Sequence, residues 1–226
     1  MNITSEGRSS DSPYVEAIWR GRADGEYAPI CPADGRWNMV LLRQQSGIAQ
    51  IYIEGPITRA KPKLHGEGTE WIAIKFKLGA FLPHLPIIDL VNGAEILSEA
   101  TTTSFRLHGS RWQFPGFDDV EMLVDRLVRD DALFYDPVVD AALHGQPQEL
   151  SSRTLRRRFL LATGLTRKVH EQIERAQQAA ALLEQGVPIG NAAFQVGYAD
   201  QSHMARSLKL YYGQTPAQIA RMSESE

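Results

Sequence analysis

Near the end of the chain, two short stretches with helical periodicity are joined by only a few residues around a glycine, in IGNAAFQVGYADQSHMARSLKLYYGQTPAQIAR, residues 189–221. The first stretch has one apolar face, made of Ile189, Ala192, Ala193 and Val196. Gly197 follows, and glycine is the residue that most readily takes positive φ just after a helix. The second helix is expected to begin at Ala199 or Asp200, because an Asp200 carboxylate there would face the positive end of the helix dipole.

The second stretch is amphipathic. Met204, Leu208 and Tyr212 recur every four residues until Gly213, which predicts an inner face that packs against the preceding helix. The opposite face carries polar and cationic side chains: Gln201, Ser202, His203, Arg206 and Lys209. A tight corner followed by such a helix is what a DNA-binding helix-turn-helix requires, since the turn props the second helix outward into the major groove. We therefore expect these five side chains to reach base edges or phosphates.

A similar pattern occurs upstream. Ser151 is predicted to be the N-cap, Phe159 continues an inner apolar face, and Gly164 is expected to close the helix. The outward side chains of this predicted helix are Ser152, Arg153, Arg156 and Arg157. A longer helix from about Thr166 to Gly186 has one apolar stripe, so a rigid helical spacer is predicted between two groove-reading helices.

Charge is divided unevenly along the 226 residues, whose net charge is −3. Residues 146–226 contain 10 Lys and Arg against 7 Asp and Glu, whereas residues 1–145 contain 14 against 20. Residues 151–170, SSRTLRRRFLLATGLTRKVH, hold six basic residues and no acidic one. This basic patch suits an anionic partner such as nucleic acid, although a solvated helix face would have the same composition.

The first half of the chain has the two-residue period of strands. NMVLLR, IAQIYIE and EWIAIKFKL alternate or run apolar between turn-forming segments, and the period becomes helical from FPGFDDVEMLVDRLVRD onward. The prediction is an α+β chain with a β-rich barrel or sandwich followed by an all-α double helix-turn-helix domain. The expected boundaries are a flexible N-terminus at 1–13, the β-rich sensor or dimerisation domain at 14–98, a connecting helical region at 99–145 and the DNA-binding domain at 146–226.

The C-terminal motifs resemble a known family. GYADQSHMARSLKLYYGQTPAQIAR is similar to the second helix-turn-helix of the AraC/XylS family of bacterial transcription regulators, and LSSRTLRRRFLLATGLT is similar to the recognition helix of the first. The resemblance covers about residues 146–221. It implies that two units, bridged by a long helix, bind successive major-groove segments of double-stranded DNA. It also implies DNA-facing roles for Arg153, Arg156 and Arg157, and for Gln201, Ser202, His203 and Arg206.

The chain departs from the family pattern at two places. LHGQPQELSS follows the candidate helix PVVDAAL, so the turn of the first unit is longer than usual. Leu210 stands where a basic residue is common, which removes one expected phosphate contact. Further upstream, ADGRWNMVL, IEGPITRA and IAIKFKLGAF resemble the β-rich domain of one subgroup of these regulators.

Other classes of protein fit the sequence less well. The six histidines lack the spacing of a helical metal site, and no phosphate loop or nucleophile elbow occurs, so no catalytic residue, metal or cofactor is predicted. A DNA-repair alkyltransferase would need a cysteine-rich methyl acceptor, and Cys31 is the only cysteine. A helical protein-interaction module is the remaining alternative. No signal peptide or membrane span is indicated, so a cytoplasmic protein is expected.

The acidic first half makes a poor DNA surface, which leaves ligand sensing or homodimerisation as its expected role. A barrel or sandwich can hold a small-molecule effector, and its aromatic candidates are Trp37, Tyr52, Trp71 and Phe76, each of which could equally be an ordinary core side chain. The two recognition helices are expected to fold around cores of their own within residues 146–226.

Overall fold

The computed structural model describes residues 3–25, 28–47, 49–64, 66–97, 100–101, 103–146 and 148–223. The chain divides into two compact units. Unit 1 comprises residues 1–28, 36–56 and 64–166, and unit 2 comprises residues 29–35, 57–63 and 167–226. The predicted boundary at 98 lies outside the described residues, and the unit boundary after Thr166 differs from the predicted start of the DNA-binding domain at 146.

Twelve strands are present in the described residues: β1 (Ile3–Ser9), β2 (Val15–Ala23), β3 (Ile30–Cys31), β4 (Asn38–Arg43), β5 (Ala49–Glu54), β6 (Lys61–Pro62), β7 (Glu70–Phe76), β8 (Ala80–Phe81), β9 (Ala94–Ile96), β10 (Ser104–Leu107), β11 (Ser110–Gln113) and β12 (Phe134–Tyr135). A 3-10 helix spans Ile87–Leu90. The α-helices are α1 (Val120–Arg129), α2 (Pro137–Leu143), α3 (Ser152–Thr163), α4 (Arg167–Glu184), α5 (Ile189–Gln195), α6 (Gln201–Tyr211) and α7 (Pro216–Ser223).

Unit 1 is built on one antiparallel sheet, with the strand order β1-β2-β7-β4-β5-β9. One face of the sheet is apolar because the side chains alternate, and Ile18, Met39 and Ile74 on that face are fully buried. Helix α1 and the β10–β11 hairpin contribute Val124, Leu127 and Trp112 to the same core. The α+β class is confirmed, and within the described residues the sheet is open, with β1 and β9 at its edges, where a barrel or sandwich was expected.

The expectation that residues 1–13 are flexible is wrong for most of that segment. Strand β1 pairs with β2 over its whole length, from Ile3 opposite Ala23 to Ser9 opposite Ala17. The sequence did not predict β1 because the segment is mostly polar, and an edge strand with few apolar side chains resembles a loop in sequence. Arg8 also holds it in place, because its guanidinium binds both carboxylate oxygens of Glu121 in α1, at 2.6 and 2.7 Å.

The region 99–145 contains more than the connecting helices that were predicted. Strands β10 and β11 form a hairpin whose two-residue turn is His108–Gly109, with φ of 51° and 75°. Positive φ at both positions is the type I′ geometry that matches the twist of paired strands. The hairpin buries Phe105 and Trp112 against the core, so packing with the sheet stabilises strands of only four residues.

Unit 2 contains helices α4 to α7 together with the short strands β3 and β6. Its core is formed by Ala176, Ala180 and Leu183 of α4, which pack with Met204 and Leu208 of α6. Ala192 and Ala193 of α5 and Ile219 of α7 complete this cluster. The apolar stripes predicted for these helices are therefore confirmed as largely buried faces, although four of their members are only half-buried: Val169, Ile189, Val196 and Tyr212.

Candidate nucleic-acid interface

The first helix pair, α2 and α3, has defined ends. The Asp136 carboxylate accepts a hydrogen bond from the Val138 N–H at 3.0 Å, and Ser151 Oγ accepts one from the Thr154 N–H at 3.2 Å. Both are N-cap interactions that satisfy N–H groups left free at a helix start. Gly164 closes α3 in the left-handed region, with φ of 71°. The predicted cap at Ser151 and the predicted end at Gly164 are confirmed.

The loop between α2 and α3 runs from His144 to Ser151, with Pro147 outside the described residues. The α5–α6 connection is shorter, from Val196 to Asp200. The long turn that the sequence indicated for the first unit is therefore present. The two helices are nevertheless joined directly by an ion pair. Arg158 Nε and Nη2 bind the two Asp136 carboxylate oxygens at 2.7 and 2.8 Å. This pair fixes α3 to the beginning of α2.

Helix α3 turns its apolar side toward the rest of unit 1. Phe159 and Ala162 are about 2% exposed and pack with Leu78 and Val139. A Cβ atom on Gly164 would lie 2.9 Å from the Ile87 carbonyl oxygen, so the end of α3 meets the 3-10 helix at close range. The expectation that both recognition helices have cores within residues 146–226 is therefore wrong for α3. The sequence of residues 146–226 carries no signal of this, because the partners of α3, Leu78 and Val139, lie outside that segment.

The opposite side of α3 is open to solvent. Ser152, Arg153, Arg156 and Arg157 are all exposed. Within the described part of the chain, the three arginines on this face have no carboxylate partner, in contrast to Arg158 on the flank. Unpaired guanidinium groups in a row along a helix suit the phosphates and guanine edges of DNA.

The corner between α5 and α6 is a complete Schellman motif. Gly197 has φ of 75°, its N–H donates to the Phe194 carbonyl at 3.1 Å, and the Tyr198 N–H donates to the Ala193 carbonyl at 2.9 Å. Asp200 then caps α6, since its carboxylate accepts a hydrogen bond from the His203 N–H at 2.6 Å. Gly197 and Asp200 therefore have the roles predicted for them.

The back of α6 is anchored by apolar and aromatic contacts. Met204 and Leu208 are fully buried, and Tyr212 donates a hydrogen bond from its hydroxyl to Glu184 of α4. Burial and this carboxylate raise the pKa of Tyr212 to about 12, so its hydroxyl keeps its proton at neutral pH. Tyr198 also contacts the second half of α6, with its hydroxyl 2.8 Å from Ser207 Oγ.

The front of α6 carries the five predicted side chains. Gln201, Ser202, His203, Arg206 and Lys209 are all exposed. The His203 ring stands edge-on to Tyr198 with ring centroids 5.1 Å apart, which fixes its direction. Lys209 Nζ donates to the Gly213 carbonyl at 3.1 Å, so this side chain also closes the helix. Helices α3 and α6 belong to different compact units, each with an exposed polar face and a packed back.

The four aromatic ligand candidates do not share one site. Trp37 and Phe76 stack in the core with ring centroids 3.9 Å apart, and the Trp37 indole N–H donates to the Ala80 carbonyl. The Tyr52 hydroxyl donates to Gln50. Of the four, only Trp71 lines a cavity of about 600 Å³ in unit 1. Trp37 and Phe76 are therefore core residues, which is the alternative use that the sequence allowed.

The cavity has apolar walls and a charged rim. Leu41, Ile72, Phe114 and Phe117 line its walls. Three arginines and two glutamates stand around it: Glu6, Arg20, Arg22, Arg43 and Glu70. Arg20 binds Glu6 at 2.6 Å and Arg22 lies 3.6 Å from Glu70, whereas Arg43 has no ion pair within the described residues. The sequence did not predict this site, because its charged side chains come from strands that are distant along the chain.

No group of three or more His, Cys, Asp or Glu side chains in the described ranges is placed to hold a metal ion. Over the same residues, none of the helices combines the length and apolar character needed to cross a membrane. Cys31 is half-buried in β3 of unit 2.

Comparison with known proteins identifies the C-terminal part. A family model described as a helix-turn-helix domain matches residues 149–222. The HTH-type transcriptional regulator RipA of Corynebacterium diphtheriae is 36% identical over 72 residues, which is 32% of this chain. The match spans 22% of RipA, about a fifth of that protein's length.

Two solved structures of ToxT from Vibrio cholerae O395 are also similar over 99% of this chain. The first covers 99% of the ToxT chain, with a TM-score of 0.41 and 10% identity. The second, bound to (E)-4-(8-methylnaphthalen-1-yl)but-3-enoic acid, covers 100% of it, with a TM-score of 0.39 and 11% identity. The assignment rests on the domain match, on RipA and on the capped helices described above. Residues 149–222 form a helix-turn-helix domain.

Proposed function

We propose that the chain is a sequence-specific DNA-binding transcription regulator, in which α3 and α6 enter successive major-groove segments of double-stranded DNA. The observation that carries this proposal is the shared design of the two helices. Each has a capped N-terminus, a buried apolar back and an exposed front with cationic side chains. The whole chain has a net charge of −3, so the positive charge on these two helix faces is a local feature. Attraction to DNA is therefore confined to part of the surface.

The two fronts differ in chemistry. Arg153, Arg156 and Arg157 give α3 three positive charges, which favour phosphates and guanine. Helix α6 offers an amide, a hydroxyl, an imidazole and a guanidinium within six residues, from Gln201 to Arg206. Such a mixture of donors and acceptors can distinguish base pairs in the major groove. We therefore assign most of the sequence discrimination to α6 and much of the electrostatic affinity to α3.

Selection from a random duplex library tests this function. The purified chain should enrich one sequence class, and should bind that operator about 10³-fold more tightly than scrambled duplex at one salt concentration. A protein-interaction module would enrich no sequence. A chain that bound all duplexes equally would also contradict the proposal, since its charged surface would then act without reading bases.

The cavity in unit 1 is the proposed effector site. A volume of about 600 Å³ is in the usual range for small-molecule pockets. Its apolar walls and the unpaired Arg43 favour a compound with an apolar body and one carboxylate or other anionic group. Homodimerisation through the exposed strand β1 or β9 is a separate proposal, because an edge strand can pair with a second copy.

Calorimetry with decanoate and decanol, which differ in the charged group, tests the effector class. The full chain should bind decanoate more tightly, and Arg43→Gln should weaken decanoate binding by roughly tenfold without affecting decanol. Arg111→Gln, on the exposed side of β11, is the matched control. Equal binding of both compounds would show that the cavity does not select anions.

A further inference from the structure

Two segments from the first third of the chain, residues 29–35 and 57–63, belong to unit 2, and together we call them the ribbon. They pair with each other as antiparallel strands, with Ile30 opposite Pro62 and Cys31 opposite Lys61. At the base of the ribbon, Asp34 and Ile57 exchange both backbone hydrogen bonds, at 2.9 and 2.8 Å. The ribbon is therefore an ordered two-stranded element, although it lies far in sequence from the helix-turn-helix match at 149–222.

The ribbon binds the C-terminal end of α6. The Ala33 N–H donates to the Tyr211 carbonyl at 2.6 Å, and the Ala60 N–H donates to the Leu210 carbonyl at 2.9 Å. The last carbonyl groups of a helix have no partner within the helix. Each segment of the ribbon therefore donates a hydrogen bond to one of the last two carbonyl groups of α6.

Gly213 lets the ribbon approach this closely. Its φ is 81°, and a Cβ atom at this position would lie 2.6 Å from Ile30 Cγ2 and 3.1 Å from Ala60 Cβ. Both the backbone conformation and the contact therefore exclude a larger residue. Gly186 has a similar φ of 79°, but a Cβ atom there would meet nothing within 4 Å.

The ribbon also contacts α4. Gln177 Nε2 donates to the Ala33 carbonyl at 2.8 Å, and a Cβ atom on Gly35 would lie 2.7 Å from His170 Cδ2. His170 is fully buried, and its Nδ1 atom lies 3.6 Å from Glu174. Ala33 is therefore held by its carbonyl on α4 and by its N–H on α6. One residue of the ribbon connects the spacer helix to the proposed recognition helix.

We infer that the ribbon is a positioning element of the DNA-reading unit, which fixes the C-terminal end of α6 relative to α4 and so sets the orientation in which α6 reads bases. This inference rests on the proposed role of α6 in DNA reading. A base contact requires its donor and acceptor within a few tenths of an ångström of the ideal distance, whereas a phosphate contact tolerates more movement. Loosening the ribbon should therefore reduce sequence discrimination before it reduces general affinity for DNA.

Two pairs of variants of the full chain test this inference. Gln177→Ala removes the hydrogen bond to Ala33, and Gln178→Ala changes the exposed neighbour as its control. Gly213→Ala pushes the ribbon away, and Gly186→Ala adds the same methyl group with similar backbone strain but no ribbon contact. Gln177→Ala leaves the backbone unaltered, so it remains informative even if Gly213→Ala lowers the yield of folded protein.

The measurements are the affinities for the selected operator and for scrambled duplex, and amide exchange at Ala33 and Ala60. Gln177→Ala and Gly213→Ala should lower the operator-to-scrambled affinity ratio by about three- to tenfold, with scrambled binding unchanged and faster exchange at Ala33. Gln178→Ala and Gly186→Ala should keep the wild-type ratio. An unchanged ratio in the ribbon variants despite faster exchange would overturn the inference, whereas a wild-type chain with no operator preference would instead overturn the proposed function.

Discussion

The carboxylate of Asp136 caps α2 and binds Arg158 of α3 through both oxygens, so one side chain defines the start of the first helix pair and its junction. Asp136→Ala removes the cap and the ion pair together. We expect a loss of about 1 to 3 kcal/mol in the free energy of unfolding, measured by urea denaturation. Asp140→Ala, on the exposed side of the same helix, should cost less than about 0.5 kcal/mol. Equal losses for both variants would show that the junction is unimportant.

Gly197 provides a test of the corner before α6. Because its φ is 75°, Gly197→Val should destabilise the protein by about 1 kcal/mol or more, since a β-branched residue resists positive φ. No atom would lie within 4 Å of an added Cβ, so this cost reports backbone strain and not a clash. Gln195→Val, in the last turn of α5, is the control for valine in a helix. DNA binding should weaken together with stability, and an unchanged melting temperature for Gly197→Val would contradict this account of the turn.

Arg156 and Arg206 should affect DNA binding in different ways. Both are exposed, so neither alanine variant should alter the fold. Arg156→Ala is predicted to remove a phosphate contact, which weakens binding to all sequences and reduces the salt slope by roughly one unit. Arg206→Ala is predicted to remove a base contact, which costs about 1 to 3 kcal/mol on the operator and little on random DNA. Equal losses on operator and random DNA for Arg206→Ala would exclude base reading.

The Arg8–Glu121 pair predicts a dependence of stability on pH. Hydrogen bonds from Arg8, together with one from Ser10, lower the pKa of Glu121 from 4.5 to about 2 against the opposing effect of burial. A carboxyl whose pKa is depressed in the folded state stabilises the protein fully above its ordinary pKa. That contribution is lost as pH falls from about 4.5 through about 2.

Glu121→Gln should therefore destabilise the protein by about 1 to 2 kcal/mol at pH 7, with the difference from wild type shrinking between about pH 4.5 and pH 2. Glu6→Gln, which breaks the exposed pair with Arg20, is the matched control and should have little effect at any pH. Thermal denaturation at a series of pH values measures both. A difference that stayed constant down to pH 2 would mean that the ion pair is not its source.

A fragment of residues 146–226 should fold less well than its helix content suggests. It lacks Leu78 and Val139, which cover the back of α3, and it lacks the ribbon that binds the end of α6. We expect an exposed apolar face, measurable as binding of a hydrophobic dye, and operator affinity well below that of the full chain. A fragment with full operator affinity would show that neither contact is needed for DNA reading.

Local sequence signals predicted what depends on near neighbours. Asp200, Gly197, Ser151 and Gly164 end or begin helices because their effects act within a few residues. The Asp136–Pro137 pair carried a further signal that was missed, since a capping residue followed by proline at the first helical position is typical of a helix start. Each of these features can be recognised from a window of five residues.

The missed features depend on contacts between distant parts of the chain. Gln177 binds Ala33 across 144 positions, and Arg8 binds Glu121 across 113. Neither pair produces a periodic pattern, since each partner looks like an ordinary surface side chain in its own segment. The buried His170 is similar, because Gly35 of the distant ribbon lies against its ring. The sequence therefore predicted helices α3 and α6, but not the long-range contacts that position them.

The central claim is that α3 and α6 read two successive major-groove segments, and methylation-interference footprinting of the full chain on its selected operator tests it most directly. The account predicts two groups of sensitive guanines about one helical turn apart. Arg156→Ala should weaken dependence on one group and Arg206→Ala dependence on the other. A single group of sensitive guanines, or one group that responds to both substitutions, would contradict the claim.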